Sequence, residues 1–168
     1  MPQKIAPWLL TRRRLVAGLA VAALPLARAH AQSDGFRTLR LKAGTAPLRG
    51  ADKLATPVLG FDGAVPAPVL RAKRGEELKI RVANDLAEPA TIHWHGVRTP
   101  SAMAGVPGLT RSPIAPGQTF DVRFTPPDAG TFFYRAFAPT QQARGLSGLL
   151  IVDEAAPIEF DRDVALIV

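Results

Sequence analysis

Two histidines separated by a single residue are the candidate metal ligands of this sequence. His93 and His95 lie in the segment TIHWHG, residues 91–96. In an extended strand alternate side chains point to the same face, so both imidazoles should lie on one side and Trp94 on the other. Such a pair can chelate one ion or give one ligand to each of two neighbouring ions. Imidazole suits copper, zinc, iron and nickel alike, so the pair does not select a metal. The alternative to a metal site, for an isolated pair of this kind, is that both histidines are ordinary surface or core residues.

The composition excludes several other chemistries. The 168 residues carry a formal charge of +7, with 21 Lys and Arg against 14 Asp and Glu. Residues 1–31 hold five of the basic residues and no acidic one, which leaves 16 basic against 14 acidic residues afterwards. A nearly neutral remainder has no basic stripe for a nucleic-acid partner.

Because the chain has no cysteine, it also has no disulfide, no thiolate zinc site, no cysteine nucleophile and no complete blue-copper site.

The first 31 residues have the features of an export signal. A basic start precedes an apolar run over residues 15–26, and Ala-His-Ala at 29–31 forms a small-residue cleavage site. Arg12 and Arg13 before the apolar run favour the twin-arginine route, and an ordinary secretory signal is the alternative. The run is shorter than the roughly 20 residues that span a bilayer. We therefore expect a bacterial periplasmic protein that begins at Gln32 and keeps no stable membrane anchor after cleavage.

The remainder of the sequence has the pattern of short β-strands. Apolar residues alternate with charged ones at period two, a spacing that gives each strand one buried and one solvated face. The alternating segments are 39–42, 78–82 and 120–124. Glycine, proline and aspartate turns separate them, which favours an antiparallel β-sandwich over residues 32–153. The continuously apolar residues 148–152 indicate a strand buried on both faces. Residues 154–168 are interpreted as a linker followed by the start of a further strand or of a truncated next domain.

The order of several motifs resembles that of a known family. HWHG at 93–96 resembles the first copper-binding motif of the multicopper oxidases. Segments upstream and downstream follow in the family's order between about residues 58 and 153, and they are FDGAVPAP at 61–68, GVPG at 105–108, IAPGQ at 114–118, FTP at 124–126, GTFFY at 130–134 and GLSGLLIV at 145–152. The resemblance implies an all-β, cupredoxin-like Greek-key β-sandwich, the amino-terminal plastocyanin-like domain of a copper-dependent oxidoreductase with oxygen as acceptor.

The resemblance also assigns roles to individual residues. It implies that His93 is a ligand of the type 2 copper and His95 a ligand of the type 3 pair, in a trinuclear cluster that reduces dioxygen to water. Gly96 would be the small residue that lets the following loop pass close to the metal. The remaining ligands and the type 1 site belong to a carboxy-terminal cupredoxin domain in the family. The implied partners are therefore a copper ion and further cupredoxin domains, in a longer chain or in another subunit.

Three positions depart from the family pattern. Where the family has a second His-x-His, this sequence has Arg135 and Phe137. Arginine keeps its charge and offers no lone pair, and phenylalanine offers only a ring. Ala104 stands where many relatives have an acidic residue that relays protons. Two interpretations remain open: a copper-binding oxidase domain, as a fragment or a degenerate member with an incomplete trinuclear site, or a copper-poor periplasmic structural or interaction domain of the same fold.

Overall fold

The computed structural model describes residues 34–156 and 159–167, so the predicted export signal lies outside the described residues. This part of the chain contains eight strands and one short α-helix. The strands are β1 (Arg37–Ala46), β2 (Thr56–Phe61), β3 (Leu70–Lys73), β4 (Leu78–Asn84), β5 (Ile92–His95), β6 (Thr119–Phe124), β7 (Gly130–Ala136) and β8 (Ser147–Asp153). A 3-10 turn spans Ser101–Met103, and helix α1 spans Pro139–Ala143. No helix among the described residues is long and apolar enough to cross a membrane.

The strands form two four-stranded sheets, which confirms the predicted all-β sandwich. One sheet has the order β2-β1-β4-β6 and the other the order β3-β8-β7-β5. The expected antiparallel pairing holds for four of the six strand pairs, but β1 pairs parallel with β4 and β3 pairs parallel with β8. A parallel pair needs a long crossover between its strands. Here β2 and β3 lie between β1 and β4 in the chain, and β4 to β7 lie between β3 and β8.

The period-two pattern correctly assigned the buried faces. Leu39 and Leu41 of β1 are fully buried while Arg40 between them is exposed, and Ile80 and Val82 of β4 are buried in the same way. Strand β8 is buried on both faces over most of its length, as its apolar run predicted. The largest fully buried side chains include Trp94 and Tyr134, which belong to the strands that carry the candidate site. The core therefore fixes the backbone on which the histidines stand.

Residues 159–167 form no helix or strand and are exposed. The further strand predicted within residues 154–168 does not form among the described residues of that segment, and the apolar side chains of Val164, Leu166 and Ile167 remain accessible. Arg71 of β3 forms an ion pair with Asp163 of this segment and another with Asp153 of β8 at 2.8 Å. The domain boundary near residue 153 and the further domain beyond it stay predictions.

An ion-pair cluster attaches the start of the described chain to the first sheet. Arg81 of β4 forms a two-point pair with Asp121 of β6 at 2.7 and 2.8 Å, and it bonds Asp34 at 2.7 Å. The Phe36 ring lies under the guanidinium groups of Arg81 and Arg123, at 4.8 and 4.6 Å from its centroid. The hydrogen bonds from Arg81 lower the pKa of Asp121. The pKa of Asp34 is lowered mainly by the hydrogen bond from the backbone N–H of Phe36 and secondly by the hydrogen bond from Arg81.

These two carboxylates should make the free energy of unfolding decrease as the pH falls into the acidic range. A carboxyl whose folded-state pKa lies below its unfolded value, about 3.9 for Asp, stabilises the fold above that value and loses this contribution as the pH falls. Asp121→Asn should therefore lower the urea midpoint modestly at pH 7, and its deficit should shrink as the pH falls to about 3. Asp161→Asn, in the exposed carboxy-terminal segment, is the control. A constant deficit from pH 7 to pH 3 would contradict this origin of the acid sensitivity.

Candidate metal centre

The candidate site lies on an edge strand with a well-anchored inner face. Among the described strands, β5 pairs only with β7, with Trp94 opposite Tyr134. The Trp94 side chain is 1% exposed, and its ring packs edge-on against Phe124 at a centroid distance of 5.3 Å. Because residues alternate across the sheet, anchoring Trp94 inward directs both neighbouring histidines outward. This is the arrangement that the sequence predicted.

The two imidazoles lie beside each other on the outer face of the sheet. The ring centroids of His93 and His95 are 5.8 Å apart, with an angle of 84° between the ring planes. His93 is half-buried and His95 is exposed. The pair therefore presents adjacent nitrogen donors to a space that an ion can reach from solvent.

A backbone carbonyl determines which nitrogen of His93 is free. His93 Nδ1 lies 2.7 Å from the carbonyl oxygen of Ala104. A carbonyl only accepts, so in this contact Nδ1 carries the proton and donates it, which leaves the lone pair of neutral His93 on Nε2. Hydrogen bonds of this kind orient ligating histidines in metal sites. Ala104 thus has no acidic side chain but contributes its main-chain carbonyl to the site.

Gly105 allows that contact, and this role was not predicted from the sequence. Its φ is +73°, and a Cβ there would lie 1.8 Å from the carbonyl oxygen of Ile92 and 3.4 Å from the Cα of His93. No side chain fits into that gap, so only glycine lets the loop pass directly against β5. The role expected of Gly96, to let the following loop pass close to the metal, stays a prediction. Gly96 has a φ of +78°, and a Cβ there would only touch the Phe132 ring at 3.4 Å.

An aromatic side chain of β7 supports the second histidine. The Phe133 ring stacks on His95 at a centroid distance of 4.4 Å, with 26° between the planes. The two residues are direct partners across the β5 and β7 pair. Stacking restricts the rotation of an otherwise exposed imidazole, so His95 loses less side-chain freedom when it binds an ion.

The residues that replace the second His-x-His lie on the same face as the histidines. Arg135 is the direct partner of His93 across the strand pair, and Phe137 packs edge-on against His93 at a centroid distance of 6.2 Å. The Nη1 of Arg135 donates to Gln142 Oε1 of α1 at 2.9 Å and to the Ala136 carbonyl at 3.3 Å. No group of three or more His, Cys, Asp or Glu that could hold a metal ion occurs within residues 34–156 and 159–167.

Strand β7 is held in place from behind by Tyr134. Its hydroxyl donates to the Pro68 carbonyl at 2.6 Å, and burial raises the pKa of the phenol. A Cβ at Gly148, opposite Tyr134 on β8, would lie 2.4 Å from the ring. Gly148 therefore provides the room for the ring, and the packed ring keeps Phe133 and Arg135 on the outer face.

Comparison with known proteins identifies the family. The multicopper oxidase family model matches residues 43–157. The chain belongs to the multicopper oxidase family. It is 42% identical to Laccase-2 of Botryotinia fuckeliana over 110 residues, which are 64% of this chain and 19% of that protein. It is 38% identical to Copper resistance protein A of Escherichia coli over 105 residues, 61% of this chain and 17% of that protein.

Solved structures give the same assignment. Lac15 from a marine microbial metagenome superposes with a TM-score of 0.70 at 43% identity, over 74% of this chain and 33% of that chain. A multicopper oxidase from Pseudomonas thermotolerans gives 0.68 at 38% identity, over 75% of this chain and 31% of that chain. This multicopper oxidase domain thus has the predicted cupredoxin-like fold. It spans about a fifth of the length of the curated relatives and about a third of the solved chains.

Proposed function

We propose that this multicopper oxidase domain binds copper through His93 and His95. The observation that carries the proposal is the contact between His93 Nδ1 and the Ala104 carbonyl at 2.7 Å. It leaves Nε2 of neutral His93 as a lone-pair donor, beside the stacked ring of His95. In a multicopper oxidase, bound copper supplies the electron transfer that reduces dioxygen. The residues of this chain bind and orient that metal.

The donor set fits one copper ion and does not fit a trinuclear cluster. Two imidazoles leave most positions of a copper(II) ion to other ligands. Arg135 places a permanent positive charge opposite His93, and Phe137 supplies no donor atom. We propose that the trinuclear site is incomplete within this chain and that the 168-residue polypeptide alone does not turn over. The remaining ligands would come from further cupredoxin domains in a longer chain or another subunit, a proposal supported by the greater length of the relatives.

We propose that the domain works in the bacterial periplasm. The support is the order of basic, apolar and small residues in positions 1–31, with Arg12 and Arg13 favouring the twin-arginine route. That route carries folded proteins, so it suits a domain that receives its metal or its partner before export.

A copper-poor structural or interaction domain is the second candidate. Arg135 favours it, because a half-buried cation beside two imidazoles opposes the binding of a metal ion. Under this alternative the sandwich is retained, and His93 and His95 are ordinary strand residues. The two candidates differ in one measurable property, the affinity of the pair for copper.

A copper titration separates the two candidates. The chain without its leader should bind at most one copper(II) per molecule, weakly enough for chelators to remove it, because two ligands do not close a coordination shell. The double variant His93→Ala, His95→Ala should lose this binding and keep its fold, since both side chains lie outside the core. The measurement is competition with a chromogenic chelator, with circular dichroism as the folding control. Equal copper binding by the double variant would reject the histidine site, and no binding by either protein would favour the copper-poor domain.

A further inference from the structure

Arg135 has hydrogen-bond donors that nothing in the described chain uses. Only its Nη1 is engaged, with the neutral oxygens of Gln142 and Ala136. Within residues 34–156 and 159–167, Arg135 has no carboxylate within 4.0 Å and its Nε and Nη2 groups make no hydrogen bond. By contrast, Arg81 and Arg98 each form a two-point pair with an aspartate. The half-buried Arg135 therefore keeps the planar set of donors that binds anions.

The sequence around Arg135 supplies no negative charge. Residues 129–152, which cover β7, α1 and all of β8 except its last residue Asp153, contain two arginines and no Asp or Glu. A half-buried charge is costly unless it is paired with an opposite one. Arg135 therefore has no carboxylate to pair with on β7 or α1, and an anion that reaches its guanidinium gains favourable interactions with it.

A copper ion on the histidine pair would leave coordination positions open towards Arg135. His93 and Arg135 are direct partners across two antiparallel strands, an arrangement that places the Cβ atoms about 4.5–5.5 Å apart on one face. The long arginine side chain can reach past its neighbour without occupying the metal position. One anion can then bind the metal with one atom and accept hydrogen bonds from the guanidinium with another.

We propose that Arg135, at a position where the family has a histidine ligand, binds a small monovalent anion from solvent. The same anion also completes the coordination of a copper ion at His93 and His95. This inference rests on the proposed copper site. The guanidinium opposes copper when the site is empty and binds the anion that copper also binds. The affinities for copper and for the anion are therefore linked, and each ligand raises the affinity for the other by the same factor.

Azide is the probe, because its coordination to copper(II) produces a charge-transfer absorption band. The chain without its leader, loaded with one equivalent of copper(II), should show a saturable azide band at constant ionic strength. In Arg135→Gln the half-saturating azide concentration should rise about tenfold, the equivalent of one lost charge-assisted hydrogen bond. Arg135→Lys, which keeps the charge but not the planar donors, should fall between the two. Arg144→Gln is the matched control, because it removes the same charge from an exposed position after α1.

The copper affinity gives a second and independent readout. In a buffer free of coordinating anions, Arg135→Gln should bind copper more tightly than the wild type, because the repulsion is gone. Added azide should then raise the copper affinity of the wild type by a larger factor than that of the variant. Equal azide dependence in the wild type, Arg135→Gln and Arg144→Gln would overturn the anion site while leaving the copper site in place. Absence of copper binding by the wild type would overturn both proposals.

Discussion

Gly105→Ala should be among the most destabilising single substitutions in this domain. The added Cβ would lie 1.8 Å from the Ile92 carbonyl oxygen, and the residue would keep a φ of +73° that an L side chain rarely adopts. Left-handed backbone and overpacking together should lower the free energy of unfolding by about 2–5 kcal/mol, measured by urea denaturation. If the loop moves to relieve the clash, the Ala104 carbonyl leaves His93, and the copper affinity of the molecules that remain folded should also fall.

Gly108→Ala is the matched control for that substitution. Gly108 has the same φ of +73°, but nothing lies within 4 Å of a Cβ built there. It should show only the backbone cost, about 1–2 kcal/mol, and should leave copper binding unchanged. Similar losses of stability for Gly105→Ala and Gly108→Ala would show that the close contact between the loop and β5 does not add to the destabilisation.

Restoring the second ligand pair should produce the largest change in metal binding. The double variant Arg135→His, Phe137→His removes the opposing charge and adds two imidazoles to the face that carries His93 and His95. Loss of an outer partner of a metal ligand already costs about 10–100-fold in affinity, so two added ligands should raise copper affinity on the order of 100-fold or more. Chelator competition measures this gain.

The same variant should still consume no oxygen with phenolic or metal-ion donors. The chain has no cysteine, so no thiolate is present for a type 1 site to accept electrons, and no intense blue band should appear. Arg144→His, which introduces one imidazole outside the strand pair, should leave copper affinity close to that of the wild type. A gain of similar size in that control would attribute the effect to an added histidine at any position.

The fold was predictable because its information is local and periodic. Alternation at period two identified the buried residues of β1, β4 and β6, and the inward position of Trp94 follows from its place between two outward histidines. The parallel pairing of β1 with β4 and of β3 with β8 was not predictable in this way. Strand direction depends on how distant segments meet, and alternation is the same in parallel and antiparallel neighbours.

The residue types of the candidate site were predictable from the sequence, whereas most contacts that hold the two histidines in place were not. The family's motif order placed Arg135 where a further histidine ligand is expected, and the strand register shows that it lies opposite His93. The contact between Ala104 and the His93 ring uses the main-chain carbonyl of Ala104, which a residue of any type could supply, so no residue type at position 104 signals it. The glycine at position 105 was the available signal, because a glycine just after a short turn is compatible with a close backbone passage. The stacking of Phe133 on His95 required the register of two strands that are distant in sequence.

Pulsed electron paramagnetic resonance of copper(II) tests the histidine site most directly, because it detects the remote nitrogen of a coordinated imidazole. The chain without its leader, with one equivalent of copper(II), should show modulation from imidazole nitrogen that is lost in the double variant His93→Ala, His95→Ala. The third histidine of the sequence is His30, in the proposed leader, so a protein that begins at Gln32 carries no histidine other than His93 and His95. Copper that binds without imidazole modulation, or modulation that persists in the double variant, would contradict the assignment of His93 and His95 as the copper ligands.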